Sequence, residues 1–154
     1  SGKTNESDEA FQKSRSCIDQ AIELKQDDFS HGLLNARLLC DYGTMLTRIA
    51  RIEDAQLRLN DSISSLEKLL TLVERGDASV ADTNPRTNVF QQLLASRIAQ
   101  ARAFRMRGSV SQATELLVNA SPQLSDLEKL DPDDPTTLRL NFLQRNALGL
   151  CQLD

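Results

Sequence analysis

Between residues 55 and 73, apolar side chains recur at intervals of three and four, which aligns them along one face of an α-helix. This stripe consists of Ala55, Leu59, Ile63, Leu66, Leu70 and Val73. Gly76 follows it, and glycine is the residue type that most often ends a helix. No segment of useful length alternates between apolar and polar residues, so no sheet is expected. The chain is therefore predicted to be all-α.

The same period indicates about six helices in the whole chain. We predict a helix at 8–26, two helices within 30–75 that meet near Arg51, an exposed loop at 76–86, two helices within 85–130 that meet near Gly108, and a last helix at 136–153. Pro122 is predicted to break or kink the fifth helix, because proline lacks a backbone donor and clashes with the preceding turn. The DPDDP segment at 131–135 is a stop signal before the last helix.

Composition excludes several classes of protein. The 154 residues suffice for one domain with a real core. A formal net charge of −4 argues against general nucleic-acid binding, which depends on basic side chains. With no Trp and one Tyr, an aromatic stacking platform is not expected. No run of about 18 apolar residues is present, so no direct membrane insertion is predicted.

The chain offers no recognisable catalytic, cofactor or metal site. His31 is the only histidine and lies at a predicted helix start, where a surface or capping role is the usual one. The Asp pairs at 27–28 and 133–134 lack the spacing and the central glycine of a calcium loop. Cys17, Cys40 and Cys151 are too widely spaced for a metal motif, and we expect them to be small buried thiols. We therefore predict that the protein is not an enzyme and needs no cofactor.

Two ordered sets of residues share a pattern of small and bulky positions. The sets are Leu39, Tyr42, Gly43, Leu46, Ala50, Ala55, Leu59 and Ser62, and then Ala101, Phe104, Gly108, Ala113, Leu117 and Ala120. Gly43 to Ala55 and Ala101 to Ala113 are each twelve residues apart. This pattern resembles the tetratricopeptide repeat, in which small residues lie where two helices approach closely and bulky ones fill the gaps.

The resemblance implies antiparallel helix pairs stacked as a right-handed, tetratricopeptide-like α-α superhelix. Residues 1–154 would form one domain, with 8–26 as the second helix of a preceding repeat, 30–75 and 85–130 as repeats, and 136–153 as the first helix of a further repeat. The two sets lie 58 residues apart, against about 34 in the regular repeat. The pattern is thus similar to the degenerate, long-helix repeats of bacterial signalling proteins.

In the resembled family, the first helix of each pair lines a concave groove. The residues that this places in the groove are Arg37, Thr44, Arg48, Arg102, Arg105 and Asn146. Arginines lining a groove suit an acidic peptide or another carboxylate, through bidentate hydrogen bonds. The alternative is a solvated face whose arginines pair with Asp41, Glu53 or Glu115.

The leading hypothesis is a scaffold module that binds a protein or peptide, within a larger bacterial signalling or regulatory protein. One alternative is a structural or oligomerisation domain, with a homodimer formed through the apolar C-terminal helix. Another is a domain that senses a small ligand between its helices. The expected compartment is the cytoplasm, and the alternative is an extracytoplasmic domain of a membrane-anchored regulator.

Overall fold

The structure is a computed structural model, and it describes residues 2–24, 29–76, 84–130 and 132–153. Within these ranges all regular structure is α-helical, as the sequence predicts. The helices are α1 (Gly2–Leu24), α2 (Phe29–Arg48), α3 (Ile52–Arg75), α4 (Pro85–Met106), α5 (Val110–Asn119), α6 (Ser121–Leu130) and α7 (Pro135–Leu153). Most of the predicted loop at 76–86 lies outside the described residues.

The helix ends follow the predicted signals. Gly76 ends α3 in the left-handed conformation, with φ 71°, and donates to the carbonyls of Leu72 and Val73. Pro85 opens α4, where its missing N–H costs no hydrogen bond. Asp134 caps α7, because its Oδ2 accepts the backbone N–H of Thr137 at 2.7 Å. The DPDDP segment thus starts the last helix as well as ending the one before.

Of the two predicted effects of Pro122, the structure shows a break, which separates α5 from α6 at Ala120. The buried side chain of Gln144, on α7, donates to the Leu117 carbonyl at 2.7 Å and to Ser121 Oγ at 3.0 Å. A polar side chain from α7 therefore bonds to the chain where the helix is interrupted.

The helices pack mainly with their neighbours in the chain, and α4 is central to them. It contacts α2 and α3 on the N-terminal side and α5, α6 and α7 on the C-terminal side, whereas α1 packs only against α2 among the described helices. One apolar cluster joins α4 to α5, α6 and α7 around Leu94, Leu117 and Leu127. A second joins α2, α3 and α4 around Leu66 and Leu93.

Several predicted packing positions lie in the core. The buried members are Leu39, Tyr42, Gly43, Leu46, Ala55, Leu59, Ser62, Ala101, Ala113, Leu117 and Ala120, and Phe104 is half-buried. Ser62 is fully buried where α2, α3 and α4 meet. Its hydroxyl donates to the Ala36 carbonyl at 2.7 Å and lies 3.0 Å from Ser96 Oγ. A small residue here allows both neighbouring helices to come close to α3.

The prediction that Ala50 and Gly108 are packing residues is wrong, since both are exposed. Each has a positive φ, 60° at Ala50 and 84° at Gly108. At the first turn, Arg51 N–H bonds the Leu46 carbonyl and Ala50 N–H bonds the Thr47 carbonyl. The second turn repeats this pattern of bonds from residues 109 and 108 to 104 and 105. These are two Schellman motifs, so a left-handed backbone explains the small residues there.

Of the three cysteines, Cys40 and Cys151 are buried as expected, and Cys17 is exposed. Burial raises the pKa of the Cys40 thiol, which keeps it protonated and unreactive. The expectation of a buried thiol is thus wrong for Cys17, which lies on the outer side of α1 while Phe11 faces α2.

Candidate functional site

A groove of about 290 Å³ lies where α2, α4 and α7 come together. These are the first helices of the predicted pairs, and α4 contacts both of the others. The groove is lined by Thr44, Thr47 and Arg48 of α2, by Ala99, Arg102, Arg105 and Met106 of α4, and by Leu150 of α7. Its volume is at the small end of the roughly 300–1,000 Å³ that small-molecule pockets occupy. It therefore suits one or two side chains better than a large ligand.

Four of the six predicted groove residues meet in this groove, namely Thr44, Arg48, Arg102 and Arg105. The positions 44 and 48 are one turn apart on α2, and 102 and 105 are nearly one turn apart on α4, so each pair faces the same way.

The other two predicted residues, Arg37 and Asn146, are exposed and do not line the groove. Arg37 precedes Thr44 by seven residues, which places it about 10 Å farther along α2. Asn146 lies one turn before Leu150 on α7. Both therefore share the face of a groove residue and lie beyond the lining of this groove, and their part in binding a partner stays a prediction.

Sequence reasoning missed four residues that line the groove: Thr47, Ala99, Met106 and Leu150. Met106 and Leu150 follow Arg102 and Asn146 by four residues, so extending each predicted stripe by one turn would have found them. Ala99 precedes Arg102 by three residues in the same way.

Among the residues that the structure describes, the lining carries three arginines and no carboxylate. Arg48 and Arg102 are exposed, and within the described part of the chain neither forms an ion pair. They do not make the alternative predicted pairings with Asp41, Glu53 or Glu115. The groove is therefore a positively charged surface, with two guanidinium groups that have no carboxylate partner among the described residues.

Two other arginines of this region are engaged by the fold. Arg97 donates to Gln123 at 2.6 Å and pairs with Glu67 at 3.2 Å, and so joins α4 to α6 and α3. Arg107 donates to Gln56 at 3.2 Å. The arginines of this region thus divide into two groups: Arg97 and Arg107 bond to other helices, and Arg102 and Arg105 line the groove.

Apolar surface adjoins the charged part of the groove. The side chain of Met106 is 55% exposed and that of Leu150 is 38% exposed. Arg105 and Met106 also line a second depression of about 340 Å³ with Gly108 and Val110. On the other side, Arg102, Arg105 and Leu150 line a small recess of about 20 Å³ with Ala147 and Cys151. Two further depressions thus adjoin the groove, and all three share Arg105 of α4, so a peptide segment that enters the groove has concave surface on either side of that residue.

No group of three metal-ligating side chains occurs among the residues that the structure describes. His31 is half-buried in the first turn of α2, and the Asp pair at 27–28 lies outside the described residues. None of the described helices is both long enough and apolar enough to cross a bilayer.

The chain matches no protein-family model, no curated protein and no solved structure. What the protein does must therefore be inferred from its own groove.

Proposed function

We propose that the protein is an interaction module that binds a peptide segment of another protein in the groove between α2, α4 and α7. The observation that carries the proposal is the meeting of Thr44, Arg48, Arg102 and Arg105 with the exposed apolar side chains of Met106 and Leu150 in one groove. Charged donors beside an apolar rim provide both orientation and contact area for a bound segment. By contrast, the buried polar side chains of Ser62 and Gln144 donate to the backbone carbonyls of Ala36 and Leu117 within the fold.

Two features support a tetratricopeptide-like architecture for this module. The Schellman motifs at Ala50 and Gly108 are 58 residues apart, the same offset that separates Gly43 from Ala101. In addition, α4 contacts α2 and α7, as the first helices of successive pairs would. A repeated turn and a repeated contact at one offset are what duplicated helix pairs would produce.

The proposal about the larger protein to which the module belongs is supported by the resemblance to tetratricopeptide repeats. We propose that the module belongs to a bacterial signalling or regulatory protein. The two buried, unpaired cysteines, Cys40 and Cys151, favour a reducing compartment such as the cytoplasm, while an extracytoplasmic domain of a membrane-anchored regulator is the alternative.

The proposal is tested by selecting displayed random peptides on the immobilised wild-type protein and measuring their binding to two variants. Thr44→Trp places a bulky ring in the groove, and Ser64→Trp places the same ring at an exposed position on α3. Circular dichroism verifies that both variants fold. The selected peptides should bind Ser64→Trp like the wild type and Thr44→Trp at least about tenfold more weakly. Equal binding to both variants, or the absence of any selected peptide, would overturn the proposal.

A second candidate function is self-association through α7. Leu138 and Phe142 lie one turn apart on this helix and are 53% and 67% exposed. Neighbouring exposed apolar side chains of this size often mark an interface. Sedimentation equilibrium of the wild type and of Phe142→Ser tests it, with Met106→Ser as the control for loss of another exposed apolar side chain. A dimer that only Phe142→Ser weakens would support this candidate, and a wild-type monomer at all concentrations would eliminate it.

A further inference from the structure

We infer that the groove selects peptides in which an Asp or Glu side chain lies close to an apolar side chain. This inference rests on the proposed function and names the chemistry of the partner. Three properties of the groove support this inference: the charge of its lining, the hydrogen bonds of its hydroxyl groups and the position of its apolar side chains.

The groove differs in charge from the chain as a whole. The sequence has 22 acidic and 18 basic residues, yet the described residues that line the groove include three arginines and no acid. Arg102 and Arg105 lie on one face of α4, and Arg48 approaches from α2. This arrangement repels basic segments, and the planar guanidinium groups of Arg48 and Arg102 can each donate two parallel hydrogen bonds to a carboxylate.

The threonine hydroxyl groups of the groove are not the main hydrogen-bond donors that a ligand would meet. Thr47 Oγ1 donates to the Gly43 carbonyl at 2.9 Å, and Thr47 itself is buried. Thr44 is half-buried and lies one turn after the buried Cys40 on α2. The donors available to a bound segment are therefore mainly the guanidinium groups of Arg48 and Arg102, so the ligand must supply acceptors, and charged acceptors bind them most strongly.

Apolar contact is available within one helical turn of the charge. Met106 follows Arg102 by four residues, and Leu150 faces the same groove from α7. The flexible thioether of methionine adapts to side chains of different shape. Covering Met106 and Leu150 removes apolar surface from water, whereas an entirely polar acidic segment would leave both exposed. The best ligand thus combines one carboxylate with a neighbouring apolar side chain.

The test uses the peptides selected on the wild-type protein. Each is synthesised in three forms: as selected, with its acids replaced by the corresponding amides, and with its apolar residues replaced by serine. Binding is measured to the wild type and to Arg102→Glu, Arg48→Glu and Arg145→Glu. Arg145 is an exposed residue of α7 outside the groove, so its reversal changes the net charge equally.

Most selected peptides should contain an acid near an apolar residue. The amide and serine forms should each bind the wild type at least about tenfold more weakly. Arg102→Glu and Arg48→Glu should weaken the parent peptides similarly, and Arg145→Glu should not. A peptide in which Lys replaces the acidic residue should regain binding to Arg102→Glu. Such a rescue would show that the variant is folded and that only the recognition of the acid was lost. Weakening by added salt should be stronger for the acidic form than for the amide form.

Selected peptides without acids, or acidic peptides that bind Arg102→Glu and the wild type alike, would overturn the inference. If acid-free peptides are still blocked by Thr44→Trp, the proposed function stands and only the partner chemistry is wrong. If the wild type selects no peptide, both fail.

Discussion

Gly43 of α2 lies directly against Leu59 of α3, so that a Cβ atom at Gly43 would be only 2.6 Å from Leu59 Cγ. The same Cβ would be 3.2 Å from the Ala55 carbonyl oxygen. Leu59 and Ala55 are fully buried and have no room to move away. The contact between α2 and α3 therefore depends on the missing side chain, which is the role that small residues play in closely packed helix pairs.

Gly43→Ala should lower the free energy of unfolding by about 1–3 kcal/mol, because the added methyl overpacks the contact between α2 and α3. Gly149→Ala is the matched control, since no atom lies within 4 Å of a Cβ built there. Alanine is a better helix former than glycine, so this control should be up to about 1 kcal/mol more stable than the wild type. Urea unfolding measures both, and a Gly43→Ala variant as stable as the Gly149→Ala variant would contradict the close contact.

Ala50→Gly and Gly108→Ala should have opposite effects, because both positions have a left-handed backbone. A residue with a Cβ atom costs about 1–2 kcal/mol in this conformation. Ala50→Gly should therefore raise the free energy of unfolding by up to about 1 kcal/mol, and Gly108→Ala should lower it by about 1 kcal/mol. Thermal and urea unfolding measure the changes. Loss of stability in Ala50→Gly would show that the turn after α2 is not the equivalent of the turn after α4.

Ser62→Ala should destabilise the protein by about 1 kcal/mol, because it removes the hydroxyl that donates to the Ala36 carbonyl in the core. Ser64→Ala, two residues along the same helix at an exposed position, is the control. It loses no buried hydrogen bond and should be neutral or slightly stabilising, since alanine favours the helix. Equal stability of the two variants would show that the hydroxyl between α2, α3 and α4 contributes nothing.

The attachment of α1 to α2 should depend on pH. The Tyr42 hydroxyl donates to Asp8 Oδ1 and Arg51 Nη1 donates to Asp8 Oδ2 at 2.7 Å, and together they lower the pKa of Asp8. Because the folded pKa lies below the unfolded value of 3.8, this stabilisation is complete above that pH and is lost as the pH falls through the folded pKa. The stacked rings of Phe11 and Tyr42, with centroids 3.6 Å apart, lie beside the carboxylate.

Asp8→Asn should accordingly be less stable than the wild type at neutral pH, and the difference should shrink once the pH falls below 3.8. Urea unfolding across this range measures it. Asp133→Asn, which removes an exposed carboxylate before α7, is the matched control. A difference that stays constant with pH, or one that the control reproduces, would contradict the role of Asp8.

The sequence predicted the helices well, because Gly76, Pro85 and the DPDDP segment mark their ends by local chemistry. It predicted the buried small residues at Gly43 and Ala101, but the same reasoning misplaced Ala50 and Gly108. A small residue is equally suited to close helix packing and to a left-handed turn, and only the backbone conformation distinguishes the two.

The sequence predicted only part of the groove, because some of its residues are brought together by packing between distant helices. The helical period places Arg102 and Arg105 on one face of α4, and this placement can be read from the local sequence. That Arg97 instead pairs with Glu67, and that Leu150 joins the groove from α7, depends on how distant helices pack, which one sequence does not reveal.

The most direct test of the central claim is to map a selected peptide onto the protein by amide chemical-shift changes in ¹⁵N-labelled protein. If the groove between α2, α4 and α7 is the binding site, the largest changes should fall on its lining, at Thr44, Ala99, Arg102 and Leu150, with smaller changes at the neighbouring Arg37 and Asn146. Changes concentrated around Leu138 and Phe142 on the outer face of α7, with the groove unaffected, would contradict it.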